Sequence, residues 1–386
     1  MSNRRTVVLF LFLVMLASAV PAFAARRRAV GKPPNEAVLT ATEWLQRKAV
    51  PFATAEARSG LADLEPLRAM VGNARIVSLG EATHGTREFF TMKHRILEYL
   101  VEEMGFTVFA IEANLPEADR VDDYVLNGEG DPGAALTGMY FWTWDTEEVL
   151  DQIEWMREYN LRRGDRPPVR FRGFDMQTVT EAVPLVQDYV GRVDAARAAE
   201  IRGLYSCIAS HRSNTYGGLS RSSQNSCRMN VEKAHDLLAQ RRDAYIAASS
   251  KDEYERMLRY ARVVVQAESS WTNRGRRDTF MAENVEWLAD TLHPGEKMVL
   301  WAHNMHVAAA EWWMMGSPLR GRFGAAMVIF GFAFDRGSFN AYANGRLVAN
   351  TVHSSPADGF EAYLAEAGRP RFLLDLRNPS SPAAAA

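Results

Sequence analysis

Residues 75–94, RIVSLGEATHGTREFFTMKH, divide into three pieces. Arg75–Leu79 is a short apolar run broken at Gly80, which reads as a buried strand. From about Thr86 the apolar residues take helical spacing: Phe89, Met92, Ile96, Leu97, Leu100 and Val101 share a face, and Gly105 stands where a C-cap is expected. Between strand and helix lie Glu81, His84 and Gly85. Phe106–Ile111 then reads as a second buried strand ending at Glu112. Strand, helix, strand over 75–112 predicts a parallel sheet with a right-handed crossover. In open α/β sheets ligands bind at the carboxyl ends of the strands.

Working outward, Val169–Phe174 reads as a third strand ending at Asp175, and Met298–Trp301 as a fourth leading into His303 and His306. Between these two, residues 180–205, 230–247, 251–273 and 278–292 read as helices. Ala325–Phe334, Phe339–Ala343, Arg346–Val352 and Arg371–Leu376 read as strands, expected as antiparallel additions to the sheet. The fold class is therefore α/β: a mostly parallel central sheet with a large helical insertion and a smaller C-terminal α+β part. The expected divisions are 37–178 (first part of the α/β core), 179–292 (helical subdomain), 293–378 (second part of the core with the C-terminal strands) and 379–386, a low-complexity tail expected to be disordered.

The first residues carry an address. Arg4 and Arg5 precede the apolar run Val7–Val20, and Ala22-Phe23-Ala24 offers small residues where a signal peptidase reads. Residues 1–24 are expected to be a cleaved signal peptide and 25–36 a mobile lead-in, which places the protein in the periplasm or outside the cell. The alternative is an uncleaved anchor. No later stretch is long and apolar enough to span a membrane. Losing Arg4 and Arg5 takes the formal charge from −2 to −4, which points to neither nucleic acid nor an anionic membrane as partner. A monomer acting on a small molecule is expected. The two cysteines, Cys207 and Cys227, flank a polar Ser/Gly/Asn stretch and form a disulfide candidate in an exported chain. Two free thiols are the alternative.

Four strand ends thus deliver acids or imidazoles to one sheet edge: Glu81 and His84, Glu112, Asp175, and His303 with His306. Each has a bland reading. Glu81 can favour the helix N-terminus electrostatically, His84 can hold the turn, Glu112 and Asp175 can simply end strands, and His303 can be a core histidine. Three of the eight histidines at strand ends favour function. The chain has no Gly-x-Ser-x-Gly elbow, no phosphate-cradling GxxxxGK[ST] loop and no GxGxxG opening a βαβ unit, and its cysteines lie away from the strand ends. Water chemistry remains: His84 as general base, held by Glu81 or Glu112, with His303 or His306 polarising a carbonyl or protonating a leaving group.

GEATHGTREFF with Lys93 behind it, GFTVFAIEA, WTWDTEEVLDQIEWMREYN, FRGFDM, RDTFMAENVEWL and WAHNMHV resemble, in this order, the erythromycin esterase family. The resemblance implies a metal-independent esterase that hydrolyses the lactone ring of macrolides, with a histidine activating water; no covalent intermediate and no cofactor are expected. Matched by motif, that histidine is His84. Glu81 shares its motif, Glu112 ends the AIE block, and His303 and His306 fill the His-Asn-x-His block. Lys93 takes a basic position where the family often has Arg, replacing a bidentate fork by a point charge. Lys93, Asp175 and Trp144 are expected to meet substrate, and Trp142, Trp271, Trp312 and Trp313 to be either pocket lining or core. Two rivals remain. Glu81, His84, Glu112 and His303 could hold a divalent metal, or the protein could be a non-catalytic envelope protein for carbohydrate binding or polysaccharide assembly.

Overall fold

The computed structural model describes residues 41–356 and 359–377. The expected leader, lead-in and tail lie outside them. Nine strands are described: β1 (Val50–Pro51), β2 (Ile76–Leu79), β3 (Val108–Asn114), β4 (Arg170–Asp175), β5 (Met298–Trp301), β6 (Met327–Phe330), β7 (Gly337–Ala343), β8 (Arg346–Val352) and β9 (Phe372–Leu373). The central sheet has the order β4-β3-β5-β2-β6 and is parallel throughout.

β2, β3 and β5 are buried along their whole length, as parallel strands covered on both faces must be. Alternate side chains enter different cores. Val77, Leu79, Phe109, Val299 and Trp301 pack with the helix Arg87–Met104. Ile76, Val108, Ala110, Met298 and Leu300 face the helices between β4 and β5. These include Ala182–Val193, Arg221–Gln240, Lys251–Thr272 and Arg277–Trp287. The register sets Leu79 beside Trp301 and Phe330, and Ile111 beside Trp301 and Gly173. Glu81, Glu112, Asp175 and His303 therefore leave the sheet on one edge.

The C-terminal strands depart from expectation. β6 pairs parallel with β2, because the helix Gly316–Phe323 carries the chain back across the sheet. Its sequence, GSPLRGRF, holds two glycines and a proline and looks like a loop. β7 and β8 form a separate antiparallel hairpin, and β9 pairs with β1, so none of the three extends the central sheet. The stretch before Cys227 is also not loop throughout. A helix runs Arg221–Gln240, its first turn closed by Ser220 accepting from the Ser223 N–H, and Cys207 and Cys227 are disulfide-bonded. No helix among the described residues is long and apolar enough to cross a membrane.

The second strand continues past the Glu112 expected to end it. β3 runs to Asn114, and between Ile111 and Asn114 it carries one residue more than β4 opposite. A bulge re-aims a side chain and recurs beside active sites, and here it carries Glu112. Gly173 lies across from it. A Cβ there would stand 2.5 Å from the Ala113 carbonyl oxygen and 2.7 Å from that of Asn114. Backbone cannot yield as a flexible side chain can, so Gly173→Ala is expected to destabilise by about 1–3 kcal/mol. Gly191→Ala, at a helix position with nothing within 4 Å of the added Cβ, should be neutral or stabilise by up to about 1 kcal/mol. Urea unfolding of both variants checks the contrast.

Candidate active site

Glu81 is fully buried. Its Oε1 accepts from His84 Nδ1 at 2.6 Å, and its Oε2 accepts from Lys93 Nζ at 2.6 Å and Trp301 Nε1 at 2.9 Å. A buried carboxylate needs such matching. Lys93 lies one and a half turns into the helix that the turn opens and is itself fully buried, its Nζ 4.4 Å from the Trp301 ring centroid. Burial pulls the Lys93 ammonium down to about 8, against the opposing pull of Glu81.

The His84 bond settles where its proton sits. A carboxylate only accepts, so Nδ1 carries a hydrogen, and in the neutral ring the lone pair is then on Nε2. Nε2 has no partner among the described residues, and the side chain is 32% exposed. The other two imidazoles differ. His303 Nε2 donates to the Ala82 carbonyl at 3.1 Å, and its Nδ1 accepts the Met305 N–H at 3.2 Å. Both nitrogens are used, and burial together with nearby His84 lowers its pKa. His306 Nδ1 donates to Asp278 at 2.9 Å; its Nε2 stands 3.1 Å from Arg277 Nη1 and 3.4 Å from Glu112 Oε1. Burial opposes a charge on His306, but Asp278 and Glu112 outweigh it and raise its pKa. The rings form a row, His84 to His303 at 5.1 Å and His303 to His306 at 6.5 Å between centroids.

Glu112 is held from three sides. Arg277 Nη2 donates to Oε1 at 2.6 Å, the His303 backbone N–H donates to Oε2 at 3.0 Å, and Trp144 Nε1 donates to its carbonyl at 3.0 Å. Burial pushes its carboxyl up, yet Arg277, His306 and His84 outweigh burial and hold it at about 2. Arg277 also grips Asp175, Nε to Oδ1 at 3.1 Å and Nη2 to Oδ2 at 2.6 Å.

The structure thus brings Glu81, His84, Glu112, His303, His306 and Lys93 together and adds Arg277, Asp278 and Trp301. Arg277 opens the RDTFMAENVEWL block, but nothing local to it shows that it spans from the helical part to two strand ends. Lys93, Asp175 and Trp144, expected to meet substrate, are buried, Lys93 and Asp175 completely. They hold other groups instead: Lys93 holds Glu81, Asp175 holds Arg277, and the Trp144 ring stands edge-on to His84 at 5.9 Å. Among the described residues no three His, Cys, Asp or Glu side chains are arranged to hold a metal ion. Both glutamates of the proposed metal set already face cations. The hairpin closes one side: the Asn340 N–H donates to the Gly85 carbonyl at 3.0 Å, and a Cβ on Gly85 would stand 1.8 Å from the Asn340 carbonyl oxygen.

Comparison with known proteins gives consistent matches. The erythromycin esterase family pattern matches residues 101–386. Erythromycin esterase type II of Escherichia coli is 26% identical over 295 residues, which cover 69% of this chain and 68% of that one. A solved structure from Bacillus cereus superposes with a TM-score of 0.79 at 30% identity, covering 88% of this chain and 85% of the other. The solved structure of a succinoglycan biosynthesis protein gives a TM-score of 0.77 at 27% identity over 88% and 87%.

Glu112 makes a pH prediction. Its folded-state pKa, about 2, lies below the ordinary 4.5. The stability it contributes is therefore fully present above pH ~4.5 and lost as pH falls toward ~2. Glu112→Gln should be destabilised relative to wild type at pH 7, by on the order of 3 kcal/mol. The gap should narrow steadily below pH ~4.5. Urea melts of both proteins at pH 7 and 3.5 measure it; a gap that does not change with pH would contradict the charge network.

Proposed function

The chain belongs to the erythromycin esterase family, and we propose that it hydrolyses ester or lactone bonds by water attack, with His84 as general base. The observation that carries this reading is the His84 imidazole, a partly exposed side chain whose Nδ1 is held by Glu81 and whose Nε2 has no partner among the described residues. Water bound there gives up a proton to Nε2 as its oxygen attacks the carbonyl carbon. The resulting oxyanion draws its electrostatic support from the Arg277 guanidinium. Collapse breaks the C–O bond, and the His84 imidazolium returns the proton to the leaving alcohol. Glu81 steadies the imidazolium, Lys93 and Trp301 hold Glu81, and His303 and Glu112 shape the edge.

A bulky apolar substrate, such as a macrolide, is the favoured class. Around this edge Met305 is 50% exposed and Tyr342 56%, and Trp142 stacks on Tyr342 at 6.2 Å. Clustered exposed apolar side chains mark binding surfaces. The kinship with a succinoglycan biosynthesis protein supports a second class, acyl esters of polysaccharides. The Cys207–Cys227 bridge supports an oxidising, exported location.

His84→Asn is expected to fold normally and to lose roughly 10²–10⁴-fold in kcat. Mass spectrometry of a macrolide and of simple esters after incubation, looking for addition of one water, is the test. A variant at wild-type rate removes His84 as base. EDTA should leave the rate intact, since Lys93 and Arg277 occupy the carboxylates; loss on chelation with rescue by zinc would argue for a metal centre.

A further inference from the structure

Beside the catalytic turn lies a second feature that the reaction does not use. A cavity of about 1410 Å³ opens between the edge strand β6, the start of the helix Arg87–Met104, and the C-terminal segment 359–377. It exceeds the roughly 300–1,000 Å³ of ordinary small-ligand clefts. Eight phenylalanines line it, among them Phe89, Phe334, Phe339 and Phe360. Phe360 and Leu376 stand on its wall 51% and 44% exposed, although large and apolar.

Its wall is tied to the catalytic machinery at two points. Gly85, Thr86 and Asn304, neighbours of His84 and His303, belong to the lining. Asn304 Nδ2 donates to the Phe332 carbonyl at 2.8 Å, and the Phe332 N–H donates back to Asn304 Oδ1 at 3.2 Å. The hairpin bond from Asn340 to Gly85 makes the second tie. Four of the charges around the wall are met internally, Arg87 by Glu56, Arg336 by Asp335, Arg377 by Asp375 and Arg371 by the Ala53 carbonyl; Glu88, Glu361 and Arg369 also stand on the lining. The phenylalanine and aliphatic side chains of the lining offer a polyol no hydrogen-bond partner, whereas an aliphatic chain needs none.

We propose that this cavity is an acyl-chain pocket, taking the saturated chain of an ester whose carbonyl lies at His84. This rests on the esterase reading of the neighbouring site and narrows its substrates to esters of medium- to long-chain acids. The test has a binding arm and a turnover arm. Decanoate titrated calorimetrically into the full chain should bind saturably. Phe360→Asp and Leu376→Asp, made separately at exposed positions, should each weaken it at least about tenfold by setting a charge in the apolar wall. Circular dichroism checks each fold, and either variant alone carries the test. In the turnover arm, kcat/KM for p-nitrophenyl esters should rise from acetate to decanoate in wild type. The variants should lose that rise while keeping the acetate rate. Decanoate binding that neither variant weakens, no decanoate binding, or rates flat in chain length overturn the pocket. Decanoate bound in the wild type and weakened by the variants, with no ester hydrolysed at any length, leaves the pocket standing and removes the esterase reading.

Discussion

A carboxylate with no access to water must meet its charge inside the protein, and Glu81 organises the molecule around that requirement. Its two oxygens divide the work. One takes the ammonium of Lys93 and the indole N–H of Trp301; the other takes the His84 proton. Lys93 comes from the helix after β2 and Trp301 from the neighbouring strand β5, so the bonds of one side chain join helix, strand and turn. Removing either charge of the Glu81–Lys93 pair leaves the other buried without its counter-charge, a cost of about 3–5 kcal/mol. The same bond places the His84 hydrogen on Nδ1, so the contacts that hold the turn also orient the imidazole.

Arg277 does for the far half of the edge what Lys93 does for the near half. It enters from the helical part and meets Glu112, in the bulge of β3, and Asp175, which ends the adjacent strand β4. His306 and Asp278 extend the network. The outcome is a row of three imidazoles with different electrical surroundings. Only His84 keeps a nitrogen without a partner among the described residues, which separates its role from that of His303 although the two rings are close.

Much of this was legible from residue order alone. Apolar runs ending in acids or histidines marked β2, β3, β4 and β5, and the helical spacing after Thr86 marked the crossover. The failures have physical causes. The return helix Gly316–Phe323 is poor in intrinsic helix formers and is held by its tertiary setting, so the parallel pairing of β6 had no local signature. A two-residue strand such as β9 pairing with β1 is likewise set by what lies beside it. Asp175 at a strand end has the look of a group facing a ligand, but Arg277, 102 residues further on, covers it.

The sequence by itself determined the elements that bear the chemistry and the edge on which they meet, because hydrophobic periodicity fixes strands and helices and a parallel sheet turns their carboxyl ends the same way. Tertiary structure alone decided what each polar group does there. Whether an imidazole nitrogen is free, a lysine supports a glutamate or touches a substrate, or an arginine reaches two strand ends depends on contacts between residues far apart in the chain. Those contacts arise from burial, since a charge taken out of water must find its partner wherever the fold has placed one.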